Sequence, residues 1–195
     1  ITTSIRYALD AMGIAHDPRD DFTWCIGPPI QRSFERLVGA DKASEGVTHY
    51  RRRYGATGLF ENELFDGIDA TLASLVAQGI RLFVATSKVH AFARPIVAHF
   101  GLDRHFIAVE GAEMDGTRSD KAEVIAHVLA THGVEPARAI MIGDREHDII
   151  GARKNGLRNI GVLYGYGDAA ELRAAGADAL CATPGDILST LARFA

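Results

Sequence analysis

Three short stretches of this chain carry residue types that could act on a phosphate. Thr86-Ser87-Lys88 follows an apolar run at 81–85, which places the Thr86 hydroxyl where a strand gives way to a helix. Such a hydroxyl can hold a phosphate oxygen, or it can cap the helix. Gly143-Asp144-Arg145-Glu146-His147-Asp148 follows a second apolar run at 139–142 and sets two carboxylates four residues apart on one face at a helix start. One Asp alone suits an N-cap. The pair at one strand tip suits Mg²⁺ held by one direct carboxylate and several oriented waters. His147, between them, is expected to face solvent. Lys121 opens a helical pattern behind Ser119-Asp120. Alone it reads as a surface lysine, but beside Thr86 and Asp144 its ammonium would neutralise a phosphoryl group.

These residues need a scaffold that brings strand tips together. From residue 68 the sequence alternates short apolar runs with amphipathic helices, the pattern of a parallel sheet covered on both faces. Strands are expected at 81–85, 106–109, 139–142, 159–163 and 179–181, with helices at about 68–78, 89–99, 119–132, 145–154, 168–175 and 185–194. Gly79, Gly101, Gly133, Gly156 and Gly176 stand where helices should stop. Residues 1 to about 64 show only helical patterns, with turns at Gly13, Gly27-Pro28-Pro29 and Gly55. The fold class expected is α/β, a doubly wound parallel sheet with a small all-helical domain. In such a sheet, function collects at the carboxyl ends of the strands.

Composition narrows the classes further. With 195 residues, 47% hydrophobic and 24% charged, the chain can build a core without disulfides, and disorder is excluded. A net charge of -4 argues against a general nucleic-acid binder. The basic run Arg51-Arg52-Arg53 reads as a solvated helix face, or else as a phosphate or partner contact. Cys25 and Cys181 follow no metal-ligand spacing, so free thiols and a reducing, cytoplasmic location are expected. No apolar run reaches the roughly 20 residues of a membrane span. The chain opens on Ile1 and not Met, so processing or further upstream residues are expected.

There is no GxxxxGK[ST], GxSxG or HExxH motif. Gly165-Tyr166-Gly167-Asp168-Ala169-Ala170 matches a dinucleotide fingerprint, but the next strand ends in Cys181-Ala182-Thr183 where that reading needs an acid.

In order along the chain, Ile26-Gly27-Pro28-Pro29, Val84-Ala85-Thr86-Ser87-Lys88, Met114 to Lys121, Gly143 to Asp148 and Gly161 to Gly167 resemble the haloacid dehalogenase superfamily, in its phosphoglycolate-phosphatase-like branch. The resemblance implies a Rossmann-like core at 67–195 and a helical cap at 1–64 that excludes water and selects the substrate. It implies that Thr86 and the Ser87 N–H bind the transferring phosphoryl group, that Lys121 stabilises it, that Asp144 coordinates Mg²⁺, and that Asp148 supports them from behind. The activity implied is Mg²⁺-dependent hydrolysis of a small phosphorylated metabolite such as phosphoglycolate. A nucleoside monophosphate or pyrophosphate is the alternative substrate, and a non-catalytic binding or regulatory role the alternative function.

The family also uses an Asp-x-Asp-Gly-Thr segment on its first core strand, where one Asp attacks phosphorus and the other acts as acid and base. No such segment occurs here in the right place. Glu113-Met114-Asp115-Gly116-Thr117 is set aside because Glu stands at the nucleophile position, Gly111 is expected to interrupt any strand feeding it, and it follows Thr86. It reads instead as a turn delivering Lys121. The nucleophile strand is therefore expected upstream of Ile1, between the strands carrying Thr86 and Asp144. Gly27-Pro28-Pro29 and Arg32 read as a rigid turn and a surface arginine, or as leaving-group contacts.

Overall fold

Apolar residues at Ile5, Ala8 and Leu9 recur at helical spacing and are buried, which places α1 over Thr2–Ala11. With α2 (Ile30–Val38) and α3 (Ala40–Ala56) it forms the first of two units, Ile1–Glu63, in a computed structural model that describes residues 1–194. Phe34, Tyr50 and Tyr54 make its aromatic core, the two tyrosine rings stacked 5.2 Å apart. This last helix runs through Gly46, where a Cβ would strike the Phe34 ring. Gly55 continues the helix and is not a turn. The basic run is not a solvated face throughout. Arg53 donates to Ser4 Oγ at 2.9 Å and to both carboxylate oxygens of Glu61 at 2.8 and 2.7 Å, which leaves Arg52 as the exposed arginine of the run.

The second unit begins at Leu64 and is α/β. Its strands are β1 (Phe83–Val89), β2 (Ala108–Ala112), β3 (Ile140–Gly143), β4 (Arg158–Val162) and β5 (Ala179–Cys181). All pairings are parallel, in two sheets ordered β1-β2 and β3-β4-β5. The connecting helices are α4 (Ile68–Ala77), α5 (His90–His99), α6 (Lys121–Thr131), α7 (Glu146–Lys154), α8 (Ala169–Ala174) and α9 (Asp186–Leu191). The expected stop glycines follow α4 to α8 in left-handed conformations.

Leu75, Ile160, Val162, Cys181 and Ile187 form one core cluster, and Ile125, Ala152 and Leu157 form another. Cys25 and Cys181 are free and buried. Residues 159–162 of β4 are buried, whereas β3 is only partly buried along its length and β1 is so until Val89. β1 also continues beyond the apolar run at 81–85. Its register with β2 slips between Thr86 and Val89, and Gly111 sits opposite Thr86 as a member of β2. A Cβ at Gly111 would collide with the Lys88 carbonyl, so this glycine permits the strand pairing and does not interrupt the strand. No helix among the described residues is long and apolar enough to cross a membrane.

Candidate active site

Thr86 lies in the middle of β1, at the last residue before the register with β2 slips. Its Oγ1 accepts the Lys88 N–H at 3.1 Å, a local turn that ties the hydroxyl to the irregular end of the strand. It does not cap α5, whose N-cap is Val89 without a side-chain bond. Ser87 lies between the two, partly buried. Burial lowers the Lys88 ammonium from its ordinary value to about 8.

Lys121 begins α6, and Asp120 caps that helix by accepting the Ala122 N–H at 2.9 Å. The lysine stem runs against Gly151 of α7, where an added Cβ would come within 3.1 Å of Lys121 Cγ. Its Nζ then reaches two places. It donates to the Ala85 carbonyl of β1 at 2.8 Å and pairs with Asp148 Oδ1 at 2.9 Å. One cation thus joins Ala85 of β1 to Asp148 in the first turn of α7.

Asp148 is buried in the first turn of α7. Its Oδ2 accepts the N–H groups of Asp144 and Arg145, each at 3.1 Å, while Oδ1 holds Lys121. A Cβ at Gly143 would run into this carboxylate. The expected pair of acids on one helix face does not form, because Asp144 precedes α7 and Asp148 folds back onto the backbone that carries it. Both Asp148 oxygens are engaged in holding the loop and the lysine.

Asp144 is gripped by the loop after β4. Its Oδ2 accepts the Tyr166 N–H at 2.8 Å and its carbonyl accepts the Gly167 N–H at 2.9 Å. Side chains at Gly165 or Gly167 would collide with the Asp144 carboxylate and carbonyl, respectively. The Gly-x-Gly spacing therefore serves close packing on Asp144, a purpose that the dinucleotide fingerprint does not describe. Glu171 of α8 completes the clamp: its Oε1 accepts Arg145 Nε and the Glu146 N–H, both at 2.8 Å. Sequence reasoning missed Tyr166 and Glu171. The signal available was a glycine pair after a strand with an acid in the following helix turn. His147 is partly buried, not fully solvent-facing.

The segment 113–117 is a hydrogen-bonded turn, as expected. Glu113 N–H donates to the Thr117 carbonyl at 2.8 Å, and Asp115 Oδ1 accepts the Thr117 N–H at 2.8 Å. That backbone bond, with the Thr117 hydroxyl, holds the Asp115 carboxyl below its usual range.

Asp144 offers the hard oxygen donor that Mg²⁺ takes, and Mg²⁺ sites of this kind use one or two carboxylates with water and phosphate oxygens. Among the described residues no group of three or more His, Cys, Asp or Glu is placed to hold a metal. Asp144 thus fits as one ligand of such an ion and does not form a cage.

The haloacid dehalogenase-like hydrolase family model matches residues 1–162. The chain is 48% identical over 176 residues to a 5'-nucleotidase of Pseudomonas aeruginosa, covering 89% of this chain and 80% of that protein. It is 41% identical over 169 residues to the tyrosine-protein kinase PtkA of Mycobacterium tuberculosis, covering 87% of this chain but only 58% of the length of that relative. It is 31% identical over 179 residues to a phosphoglycolate phosphatase of Agrobacterium fabrum, covering 86% of this chain and 75% of that protein. The crystal structure of a predicted phosphatase from Clostridium acetobutylicum superposes with a TM-score of 0.95 at 37% identity, covering 99% of this chain and 90% of that one. By the family match and these similarities, the chain belongs to the haloacid dehalogenase-like hydrolases.

Proposed function

We propose that the full-length protein is a Mg²⁺-dependent phosphatase acting on a small phosphomonoester. The observation that carries this reading is the position of Lys121, bonded at once to the Ala85 carbonyl within β1, next to Thr86, and to Asp148, which fixes the Asp144 loop. A largely buried ammonium held between β1 and α7 would offset the charge of a phosphoryl group. Thr86 and the Ser87 N–H would receive the phosphoryl oxygens, and Asp144 would be the protein ligand of Mg²⁺. Asp148 would act as a positioning residue, since its oxygens are taken by Lys121 and the loop backbone. Bound Mg²⁺ would supply charge neutralisation at the phosphoryl oxygens.

The nucleophile belongs, in this reading, to an aspartate on a strand preceding Ile1 that pairs between β1 and β3. Among the described residues each of these strands has a single paired neighbour, and each is only partly buried over most of its length. Unpaired backbone groups on interior strands call for such a partner. The aspartate oxygen would bond to phosphorus as the ester P–O bond breaks, and a second upstream aspartate would protonate the leaving oxygen. Water would then release phosphate and restore the carboxylate. The unit Ile1–Glu63 would serve as the cap that selects the substrate.

A relative named 5'-nucleotidase at 48% identity supports nucleoside 5'-monophosphates as the first substrates to assay, ahead of phosphoglycolate, which is supported by a relative at 31%. The test is phosphate release by the full-length protein from both classes, with and without Mg²⁺. Turnover of either that stops on chelation supports the phosphatase reading. Absence of turnover on every phosphomonoester favours a non-catalytic binding role.

A further inference from the structure

Arg118 is the only non-glycine among the described residues with a left-handed backbone, at φ 58°. An L side chain is strained there, and glycine would relieve the strain, so an arginine at this position calls for a function of its side chain. It lies between the turn that leaves β2 and Lys121, on the same carboxyl edge as Thr86, since β2 pairs with β1 up to Gly111 and Ala112.

Its guanidinium is held on one side only. One amino nitrogen binds Glu113 Oε1, and Glu113 Oε2 is in turn 3.2 Å from His90 Nδ1 at the start of α5. The Nε–H is buried with no hydrogen-bond acceptor among the described residues. A desolvated donor on a charged fork is costly, and the side chain, 25% exposed, leaves part of the fork within reach of an oxyanion. Glu113 and His90 orient the group without satisfying it.

We infer that Arg118 binds an oxyanion of the substrate, as a second cation three residues before Lys121 in the chain. The inference rests on the phosphatase reading. The oxyanion can come from the transferring phosphoryl group or from a second anionic group on the leaving part, and the two sources are separable.

The experiment is calorimetric titration of the full-length protein and its R118G variant with inorganic phosphate and with pyrophosphate, together with thermal melts. R118G is expected to melt no lower than wild type, because glycine is unstrained at this φ. Its affinity for at least one anion is expected to fall by about tenfold or more. Equal losses for the two anions assign Arg118 to the transferring phosphoryl group, and loss for pyrophosphate alone assigns it to a second anionic group. Wild-type affinity for both overturns the proposal. If R118G proves unstable, R118Q keeps a long polar side chain beside Glu113 without the charge, and the same comparison decides. Failure of the wild-type protein to bind phosphate or to hydrolyse p-nitrophenyl phosphate would defeat the phosphatase reading itself. Success on both counts, with the variants indistinguishable from wild type, would defeat the Arg118 assignment alone.

Discussion

Lys121 Nζ stands 2.9 Å from Asp148 Oδ1, with the two side chains only 12% and 8% exposed. This buried pair fastens α6 to α7, and through the Ala85 carbonyl it also reaches β1. Breaking such a pair from one side leaves an uncompensated charge, which costs far more than the net worth of the intact pair. Lys121→Met is therefore expected to lower unfolding free energy by about 3 kcal/mol. Asp148→Asn should cost less, since an amide oxygen can still accept the Asp144 and Arg145 N–H groups. Denaturant titration of both variants and their double mutant measures the coupling, and additive losses would contradict the pairing.

The glycines after β4 give a second expectation. A Cβ at Gly165 would overlap the Asp144 carboxylate, so Gly165→Ala should cost about 1–3 kcal/mol as local overpacking. Mg²⁺ affinity, measured by calorimetry, should fall as well because Asp144 is the side chain displaced. Gly13→Ala, at a glycine with open space around it, should leave metal affinity unchanged.

Glu171 clamps the other side of the same loop. Glu171→Ala removes the acceptor shared by Arg145 Nε and the Glu146 N–H, with an expected loss of about 1–3 kcal/mol. Saturating Mg²⁺ should restore turnover in this variant while the metal concentration for half-activation rises. A fall in turnover that no metal concentration rescues would contradict a positioning role.

How much of this was readable beforehand varies by element. The helices from α4 to α8 and the strands between them lie within a few residues of their apolar runs, because each run is at least partly buried and each helix ends on a glycine. Thr86, Lys121, Asp144 and Asp148 were all singled out from their places at strand and helix ends, and the fold brings Lys121 to Asp148 and Asp148 to Asp144. What escaped were contacts made by small or polar residues without periodicity. Gly111 reads as a break until the Lys88 carbonyl is seen to fill the space beside it. The Asp144–Asp148 spacing suggested a shared face, but a capping carboxylate that turns back on its own loop leaves the same spacing. Arg118 carries no sequence signal, since left-handed backbone at an arginine follows from the turn it closes.

Lys88 makes a pH prediction. Its folded value of about 8 lies below the ordinary 10.5, so burial penalises the charged form. Below pH 8 the ammonium is charged in both states and the penalty is present in full. Between about pH 8 and 10.5 the unfolded chain holds a proton that the folded one has released, so stability rises with pH across that window. Lys88→Met should remove this contribution to the slope. Identical pH–stability curves for variant and wild type would contradict a desolvated Lys88.

The most direct test of the central claim is Mg²⁺-dependent phosphate release by the full-length protein compared with its Asp144→Asn variant. Asparagine keeps an oxygen to accept the Tyr166 N–H, so the variant should melt within a few degrees of wild type. Its lost carboxylate charge should reduce Mg²⁺-dependent turnover by about a hundredfold or more. Near-wild-type turnover in a folded Asp144→Asn protein, at the same Mg²⁺ concentration, would contradict the assignment of this strand tip as the metal-bearing part of a phosphatase site.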